Sequence, residues 1–456
     1  MRSDTIAAIA TGMTDSGIGI VRISGKDAVE IGDRIFSSPS GKKILKTAES
    51  HKLYYGYLLE IDEVMAVVMK APKSFTGEDT VEIQCHGGVL VMRKILEAAL
   101  KAGASLAEPG EFTKRAFLNG RIDLSRAEAV MDVIHSQNEY ALSSSVNQLK
   151  GMLSEKIKKL REDIIYEIAF IESALDDPEH VDLEGYKASL ENKVNHLLKE
   201  LEELILTSDD GKLIKEGIDT VIVGKPNAGK SSLLNFMVGE ERAIVTDIAG
   251  TTRDVIQETV RIGGISLNVI DTAGIRDTDN AVEKIGVERA KKYAEKADLI
   301  LYMVDSSVNL DESDKEIISF IQNKKVIVLL NKSDLSASVD EKEIARVLKK
   351  PYPVIRISLK TNEGLSEIEK EIKKFFFKGE LKFNNQILIT NIRHKEALQE
   401  AYDSLKLVKK SIEDGMPEDF YSIDLMSAYA SLGRIIGEQV DDDLVEEIFS
   451  KFCMGK

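Results

Sequence analysis

The 456-residue sequence contains no tryptophan, two cysteines and eight prolines. Cys85 and Cys453 lie far apart, so they form neither a zinc-ligand spacing nor a disulfide framework. A reducing, intracellular setting is the simplest interpretation of this cysteine usage. No apolar run reaches the roughly 18 residues that a membrane span needs, and the N-terminus lacks the apolar core of a signal peptide. The sequence therefore predicts a cytoplasmic protein with no membrane contact.

Positive charge is also scarce relative to negative charge. Lysine and arginine total 61 against 77 aspartates and glutamates, which gives a formal net charge of −16. Such a chain is not built to coat nucleic acid by bulk charge, so any RNA contact needs a local patch or a partner. The composition, 43% hydrophobic and 30% charged, suits soluble domains with real cores. At roughly 150 residues per domain, the length suggests about three domains.

The most informative stretch is residues 224–232, which follows a strand-like apolar run and fits G-x-x-x-x-G-K-[ST]. Gly224 and Gly229 permit backbone angles that a side chain would block. Consecutive N–H groups can then face phosphates at the start of the next helix. Lys230 can reach the β- and γ-phosphates, and the Ser231 hydroxyl can ligate Mg²⁺. The alternative is a strand–turn–helix connection with incidental glycines.

Further motifs exclude that alternative. Residues 271–274, D-T-A-G, follow a predicted strand, where the aspartate can hold Mg²⁺ through water and the glycine N–H can contact the γ-phosphate. Asn331 and Asp334 belong to an N-K-S-D motif after another predicted strand. The Asp334 carboxylate can accept hydrogen bonds from N1–H and the amine of guanine, which adenine does not offer. Between the loop and D-T-A-G, Thr252 can give Mg²⁺ a second hydroxyl.

The sequence thus predicts a GTPase domain that contacts nucleotide through five segments. The last of these, 358–360, can reach the guanine carbonyl with a backbone N–H. The predicted Mg²⁺ ligands are Ser231 and Thr252. The predicted GTP-binding residues are Asn227, Ala228, Gly229, Lys230, Ser231, Ser232, Thr246, Asp247, Ile248, Ala249, Gly250, Thr251, Thr252, Asp271, Thr272, Ala273, Gly274, Asn331, Lys332, Asp334, Ser358, Leu359 and Lys360.

The catalytic equipment is unusual. Ras-like enzymes orient the attacking water with a glutamine just after the D-x-x-G motif. The corresponding residue here is Ile275, which has no hydrogen-bonding side chain. Glu283 and Glu288 lie nearby, and either could orient water or be a solvated helix residue. The residues alone do not choose between them.

Periodicity predicts a multidomain α/β protein. Residues 1–118 read as α+β, with strands at 18–23, 64–69 and 81–85 and a helix at 89–102 that Gly103 ends. Alternating strands and helices over 216–379 predict a mainly parallel sheet covered on both faces.

Helical spacing dominates the rest of the chain. Residues 119–215 and 380–456 carry apolar stripes typical of a helical bundle. Ser125 and Glu128 form a capping-box pattern at the start of the first helix. The α/β domain is therefore predicted to be inserted into a discontinuous helical domain.

Taken together, the motifs resemble one family, the tRNA-modifying GTPases called MnmE or TrmE, over the whole chain. They are the segments 19–25, 75–79, 86–88, 109–120, 224–232, 246–254 and 271–276 and the C-terminal Phe452, Cys453, Met454, Gly455 and Lys456. The resemblance implies an N-terminal domain that binds tetrahydrofolate and dimerises, a discontinuous helical domain and an inserted Ras-like P-loop domain.

The resemblance also implies a reaction and partners. Such proteins are cytoplasmic homodimers that form a heterotetramer with an FAD-containing partner, MnmG or GidA. The complex adds an aminomethyl-type group, such as carboxymethylaminomethyl, to C5 of the wobble uridine of certain tRNAs. The carbon comes from 5-formyl- or methylene-tetrahydrofolate, and GTP hydrolysis requires Mg²⁺ and K⁺.

Site residues follow from the resemblance position by position. Asn227, Thr246, Ile248 and Thr251 match the family's potassium ligands, where K⁺ offsets charge developing between the β- and γ-phosphates. Glu283 matches the water-orienting glutamate, so the resemblance favours it over the other candidate.

The folate-contacting positions are matched by Arg22, Glu82, Arg121 and Lys456. A pterin ring suits a carboxylate, and glutamyl carboxylates suit cations. Cys453 fits the family pattern, and the structural alternative for it is a small hydrophobic residue buried near a helix end. We assign it no catalytic role.

One different class of function shares the G-domain motifs, namely a regulatory GTPase that binds ribosomal RNA during ribosome assembly. The loop 109–120, the C-terminal segment 452–456 and the absence of a basic RNA-binding domain argue against it. An ATPase is disfavoured by Asn331 and Asp334.

Overall fold

The structure is a computed structural model that describes residues 5–177, 185–240, 257–270, 291–322, 324–377, 387–438, 442–453 and 455–456. The chain divides into two compact units. The first comprises Met1–Met131, Gln148–Leu190 and Asp403–Lys456, and the second comprises Asp132–Asn147 and Glu191–Tyr402.

A seven-stranded sheet forms the base of the first unit. Its strands are β1 (Ile6–Ile9), β2 (Ser16–Ser24), β3 (Phe36–Ser37), β4 (Leu53–Leu58), β5 (Asp62–Met69), β6 (Thr80–Gly87) and β7 (Ser105–Leu106). The strand order is β3-β4-β5-β6-β2-β1-β7, and only the β1–β7 pair is parallel. The predicted strands 18–23, 64–69 and 81–85 are confirmed as β2, β5 and β6.

Helices α1 (Ala28–Ile35) and α2 (Val89–Lys101) share a hydrophobic core with this sheet. Val64, Ala66 and Val68 of β5 are buried in that core, while alternate residues of the strand are partly exposed. This is the period-2 pattern of a sheet with one covered face. Helix α2 ends where predicted, and Gly103 adopts a φ of 119° that favours glycine.

Helices make up most of the remaining chain outside the second sheet. They are α3 (Glu111–Leu118), α4 (Leu124–His135), α5 (Glu139–Leu149), α6 (Met152–Asp176), α7 (Tyr186–Glu216), α12 (Ile392–Glu413), α13 (Glu418–Ile436) and α14 (Asp442–Ser450). Within the first unit α6 packs extensively against α13. One of the apolar stripes predicted within residues 119–215 is the buried side of α6, from Leu153 to Ile171.

The predicted capping box at Ser125 is wrong, because α4 begins at Leu124, two residues earlier than a cap at Ser125 would allow. Asp123 Oδ1 accepts hydrogen bonds from the backbone N–H of Arg126 at 3.1 Å and from the Ser125 hydroxyl at 2.6 Å. Aspartate is as strong an N-cap as serine, and here it stands at the position where its carboxylate reaches the third helical N–H. Ser125 is therefore inside the helix.

The second unit is built on a six-stranded sheet. Its strands are β8 (Ile218–Val223), β9 (Gln257–Ile262), β10 (Ile265–Ile270), β11 (Leu299–Asp305), β12 (Val326–Asn331) and β13 (Val354–Arg356). The order is β13-β12-β11-β8-β10-β9. All pairs are parallel except β9 with β10. The predicted mainly parallel sheet is confirmed, with the antiparallel edge strand β9 as an addition.

Apolar cores lie on both faces of this sheet, as predicted for parallel strands. Leu299, Leu301 and Met303 of β11 enter one core, and Ile300 and Tyr302 enter the other. The first core includes residues of α8 (Lys230–Glu240) and α11 (Leu365–Phe376). The second includes residues of α9 (Glu312–Ile321) and α10 (Glu341–Leu348). Because β8, β11 and β12 are parallel, their carboxyl ends lie at one edge of the sheet.

Candidate functional site

The phosphate-loop sequence forms the connection between β8 and α8. Gly224 has a φ of 155°, and a Cβ there would lie 2.3 Å from the carbonyl oxygen of Met303. Gly229 has a φ of 108°, and a Cβ there would lie 2.3 Å from Asn331 Nδ2. Only glycine fits either position without a shift of its neighbours. The predicted strand–loop–helix arrangement is thus present.

Lys230, the predicted phosphate ligand, stands at the first position of α8. Its ammonium donates to the carbonyl oxygens of Gly224 at 2.7 Å and Lys225 at 2.8 Å. Burial lowers the pKa of Lys230. These two carbonyls therefore hold the ammonium at the loop, within reach of an incoming phosphate. Asn227, at the middle of the loop, has a left-handed φ of 62°.

Two segments are predicted to contact guanine, the N-K-S-D motif at 331–334 and the segment 358–360, and we call them the first and second guanine motifs. The first lies at the end of β12, next to the phosphate loop. Asn331 is buried, and its Nδ2 donates to the carbonyl oxygen of Ala228 at 2.8 Å. Lys332 has a left-handed φ of 64°, and its ammonium lies 2.5 Å from Asp305 Oδ2 at the end of β11. Although burial raises it, the hydrogen bond from Lys332 holds the pKa of Asp305 below its usual value.

The two guanine motifs also contact each other. The buried Ser358 donates its hydroxyl to Asp334 Oδ1 at 2.9 Å, and accepts from the Thr361 N–H at 3.3 Å. The backbone N–H of Ser358 donates to the carbonyl oxygen of Glu363 at 3.2 Å. A base contact from this segment therefore falls to the N–H groups of Leu359 and Lys360, and stays a prediction.

Several predicted site residues lie outside the residues that the structure describes. They are Thr246, Asp247, Ile248, Ala249, Gly250, Thr251, Thr252, Asp271, Thr272, Ala273, Gly274 and Glu283. The loop residues Asn227 to Ser232 and the residues of both guanine motifs are described, and they meet at one edge of the second sheet.

A separate cluster in the first unit joins three of the four predicted folate residues. Arg22 on β2 pairs with Glu82 on β6, with Nε 2.8 Å from Oε1, and the two residues are directly opposite in the strand register. Arg22 Nη1 also donates to the carbonyl oxygen of Gly455 at 3.5 Å. The close approach of this C-terminal turn depends on Gly455, where a Cβ would lie 2.2 Å from the Ile9 carbonyl oxygen.

Lys456 follows directly. Burial and the charge of Arg22 lower the pKa of its ammonium. The fourth residue, Arg121, reaches the cluster through Phe75, since the guanidinium groups of Arg22 and Arg121 lie 5.6 and 5.2 Å from that ring centroid. Burial and the charge of Arg126 lower the pKa of Arg121. The cluster thus contains three cations and one carboxylate, and two of the cations, Arg22 and Arg121, flank the Phe75 ring.

The side chain of Cys453 is exposed, which excludes the alternative of a buried hydrophobic residue. Its carbonyl oxygen is engaged instead, because it accepts from the N–H of Gly110 at 3.4 Å.

The sequence motifs did not indicate two side chains, Asp305 and Lys225, that form ion pairs at the nucleotide site. Asp305 pairs with Lys332 of the N-K-S-D motif and Lys225 pairs with Asp314 of α9, yet Asp305 and Lys225 each look like an ordinary surface charge in sequence. Their signal is position, because Asp305 ends a buried strand and Lys225 stands inside the phosphate loop. Among the described residues, no group of three or more His, Cys, Asp and Glu side chains could hold a metal ion. None of the helices in the described ranges is both long and apolar enough to cross a membrane.

A phosphate loop after a parallel strand, with guanine motifs at the same sheet edge, defines a P-loop GTPase. Similarity to known protein families narrows this class. Two family profiles match, the GTP-binding protein TrmE N-terminus over residues 5–121 and the MnmE helical domain over residues 124–453. The chain belongs to the MnmE family of tRNA modification GTPases.

Full-length relatives agree with this assignment. The tRNA modification GTPase MnmE of Lachnoclostridium phytofermentans is 58% identical and covers 100% of both chains. The MnmE protein of Acetivibrio thermocellus is 48% identical, again over 100% of both chains. That of Bacillus subtilis is 45% identical over 99% of this chain and 100% of its own.

Proposed function

We propose that this GTPase binds GTP with the phosphate loop, residues 246–252, the D-T-A-G motif and the two guanine motifs, and hydrolyses it during modification of the wobble uridine of tRNA. Family membership over the full length carries the proposal. The site also fits a nucleotide. Gly224 and Gly229 let the loop backbone pack closely against Met303 and Asn331 at this sheet edge, and Asn331 Oδ1 is a buried acceptor with no hydrogen-bond partner among the described residues.

Two metal ions complete the proposed site. Ser231 and Thr252 would hold Mg²⁺, and Asn227, Thr246, Ile248 and Thr251 would hold K⁺. Both ions supply positive charge that offsets the charge developing on the phosphate oxygens. The left-handed conformation of Asn227 supports its role, because it sets this residue apart within the loop. Non-glycine residues in that conformation cluster at functional sites.

Glu283 is the proposed catalytic residue. It would orient the attacking water, a task that the apolar Ile275 cannot perform. Its carboxylate would accept a hydrogen bond from that water and so fix its direction of attack.

Arg22, Glu82, Arg121 and Lys456 are the proposed folate site. The observed cluster supports this, because a carboxylate can pair with a pterin and the cations can pair with glutamyl carboxylates. Phe75 offers a ring face beside them. A 5-formyl- or methylene-tetrahydrofolate bound there supplies the one-carbon unit.

The proposed assembly is a homodimer joined through its N-terminal domain, with domains at 1–118, 119–215, 216–379 and 380–456. It acts with an FAD-containing partner, MnmG, in a heterotetramer. Together they install the aminomethyl-type group, such as carboxymethylaminomethyl, at C5 of the uridine.

Mass analysis of tRNA nucleosides tests this function. Deleting the gene should remove the aminomethyl-type nucleosides and leave an unmodified wobble uridine. The intact gene should restore them, whereas Lys230→Met should not, because the phosphate loop would lose its cation. The control Lys315→Met, at an exposed ion pair on α9, should restore them fully. An unchanged nucleoside profile with abnormal ribosomal subunits would favour the ribosome-assembly alternative.

A further inference from the structure

A lysine inside the phosphate loop is held by two carboxylates from another element. The ammonium of Lys225 lies 2.6 Å from Asp314 Oδ2 and 2.9 Å from Asp311 Oδ2. Its side chain is only 16% exposed. Both aspartates belong to the start of α9, so this ion pair joins the loop to a helix on the neighbouring face of the sheet.

The carboxylates are themselves held rigidly. Asp311 caps α9 and accepts from the N–H of Ser313 at 3.0 Å. The side chain of Asp314 is only 1% exposed, and it accepts from the Tyr302 hydroxyl and the Asp311 N–H, each at 3.0 Å. A carboxylate this deeply buried needs a cationic partner, which Lys225 provides. We call Lys225, Asp311, Asp314 and Tyr302 the loop clamp.

The clamp acts on the same carbonyls that hold the phosphate-binding lysine. The carbonyl oxygens of Gly224 and Lys225 accept hydrogen bonds from the Lys230 ammonium. The ion pairs of the Lys225 side chain therefore fix the same stretch of backbone that binds Lys230. At the far end of the loop, Asn331 holds the carbonyl of Ala228. The loop is therefore held at both ends, by the ion pairs of Lys225 at its start and by the hydrogen bond from Asn331 at its end. Only Asn331 belongs to a guanine motif.

We propose that Lys225 is a positioning residue of the GTP site, which fixes the first turn of the phosphate loop against Asp311 and Asp314 and so slows nucleotide release. This inference rests on the proposed nucleotide site. Ordering a loop before its ligand arrives removes an entropic cost from binding. Loss of the clamp should weaken GDP and GTP alike. Turnover at saturating GTP should persist, because Lys225 contacts no reacting group.

The test is release of N-methylanthraniloyl-GDP from the full-length protein, followed by stopped-flow fluorescence. Lys225→Met should release it about tenfold faster, as expected for loss of a partly buried, charge-assisted hydrogen bond. KM for GTP should rise by a similar factor, while kcat stays within about twofold of the wild type. Lys225→Arg should restore slow release, because a guanidinium can bind both carboxylates. Lys315→Met, which removes an exposed lysine from the same helix, should leave release unchanged.

The outcomes separate the clamp from the site itself. If wild type and Lys230→Met bind the fluorescent GDP equally, the nucleotide site is wrong. If Lys230→Met loses binding but Lys225→Met releases GDP at the wild-type rate, the clamp is wrong. Unchanged KM with a lost kcat would also overturn it.

Lys225→Met leaves Asp314 buried without its cation, so that variant can fail to fold. Asp311→Asn then decides, because it keeps a capping oxygen and removes only the more exposed of the two charges. Its release rate should lie between those of wild type and Lys225→Met. A wild-type rate for Asp311→Asn would overturn the clamp.

Discussion

At the guanine motifs a single serine determines how a carboxylate is presented. Ser358 is fully buried after β13 and donates its hydroxyl to Asp334 Oδ1. The hydrogen bond takes one oxygen of the carboxylate and fixes the plane of the group. A base that needs two acceptors at a defined spacing would find them already oriented.

We therefore expect Ser358→Ala to weaken GDP binding without changing base preference. Loss of one hydrogen bond to a charged group costs about 1.5–3 kcal/mol, or roughly ten- to 150-fold in affinity. Calorimetry with GDP measures the loss. Ser319→Ala is the control, since that serine is exposed and bonds only to its own helix. Unaltered affinity in Ser358→Ala would mean that Asp334 needs no second residue to orient it.

Asp334→Asn changes the carboxylate that Ser358 orients, and it should alter the base preference itself. Its amide presents a donor where guanine needs an acceptor, so xanthosine nucleotides should bind better than guanosine nucleotides. Equal binding of ATP and GTP by the wild type would refute the assignment of guanine.

At the scale of the element, the C-terminal turn behaves as part of the N-terminal sheet. Phe452 packs with Phe449 of α14, and a Cβ at Gly110 would lie 2.8 Å from the Phe452 Cβ. The hydrogen bond from Gly110 to Cys453 and that from Arg22 to Gly455 hold the segment on the same domain. Distant parts of the sequence thus build one cluster of charges.

Deleting residues 452–456 should weaken folate binding and leave GDP binding intact, because the segment adds Lys456 to the folate cluster and belongs to the first unit, whereas the phosphate loop belongs to the second. Calorimetry with 5-formyl-tetrahydrofolate and with GDP measures both. Lys456→Met should reproduce most of the folate loss, and Lys451→Met, at an exposed ion pair, should not. Equal folate affinity in the full-length and truncated proteins would remove Lys456 from the site.

At the scale of the whole molecule, GTP hydrolysis should depend on potassium and on pairing of two G domains. An isolated domain without a glutamine after D-x-x-G and without an arginine finger should be slow, since such a finger contributes roughly 10³–10⁵ in related GTPases. K⁺ bound by Asn227 would restore the missing charge. Na⁺ is smaller and should fit the same ligands poorly.

GTP turnover in matched KCl and NaCl tests this mechanism. Wild type should be at least about tenfold faster in KCl, as expected for charge placed at the developing phosphate charge. Asn227→Ala should lose the potassium response. Glu283→Ala should lose about 10²–10⁴ in rate but keep GTP binding and potassium-induced pairing. Equal wild-type rates in the two salts would refute the potassium role, and normal turnover in Glu283→Ala would refute its role with water.

Local patterns were enough to predict most elements and the phosphate loop. The last three residues of β8 and the first five of β12 are apolar runs that lead into the phosphate loop and the N-K-S-D motif, so both the strand and its functional end are visible in the sequence. The start of α4 was missed because Asp123 and Ser125 are both good caps, and spacing alone does not decide which one bonds to the helix. The edge strand β9 was missed because four of its six residues are polar.

The sequence by itself determined the GTPase class, because its phosphate and guanine contacts come from short contiguous motifs whose chemistry is local. Only the tertiary structure decided which distant charges meet. Arg22, Glu82 and Lys456 converge through strand register and a returning C-terminus, and Lys225 meets Asp314 because a loop and a helix lie beside the same strand. Such contacts depend on how the helices, strands and loops pack. Because the side chains are separated by tens to hundreds of residues, no local sequence pattern indicates that they meet.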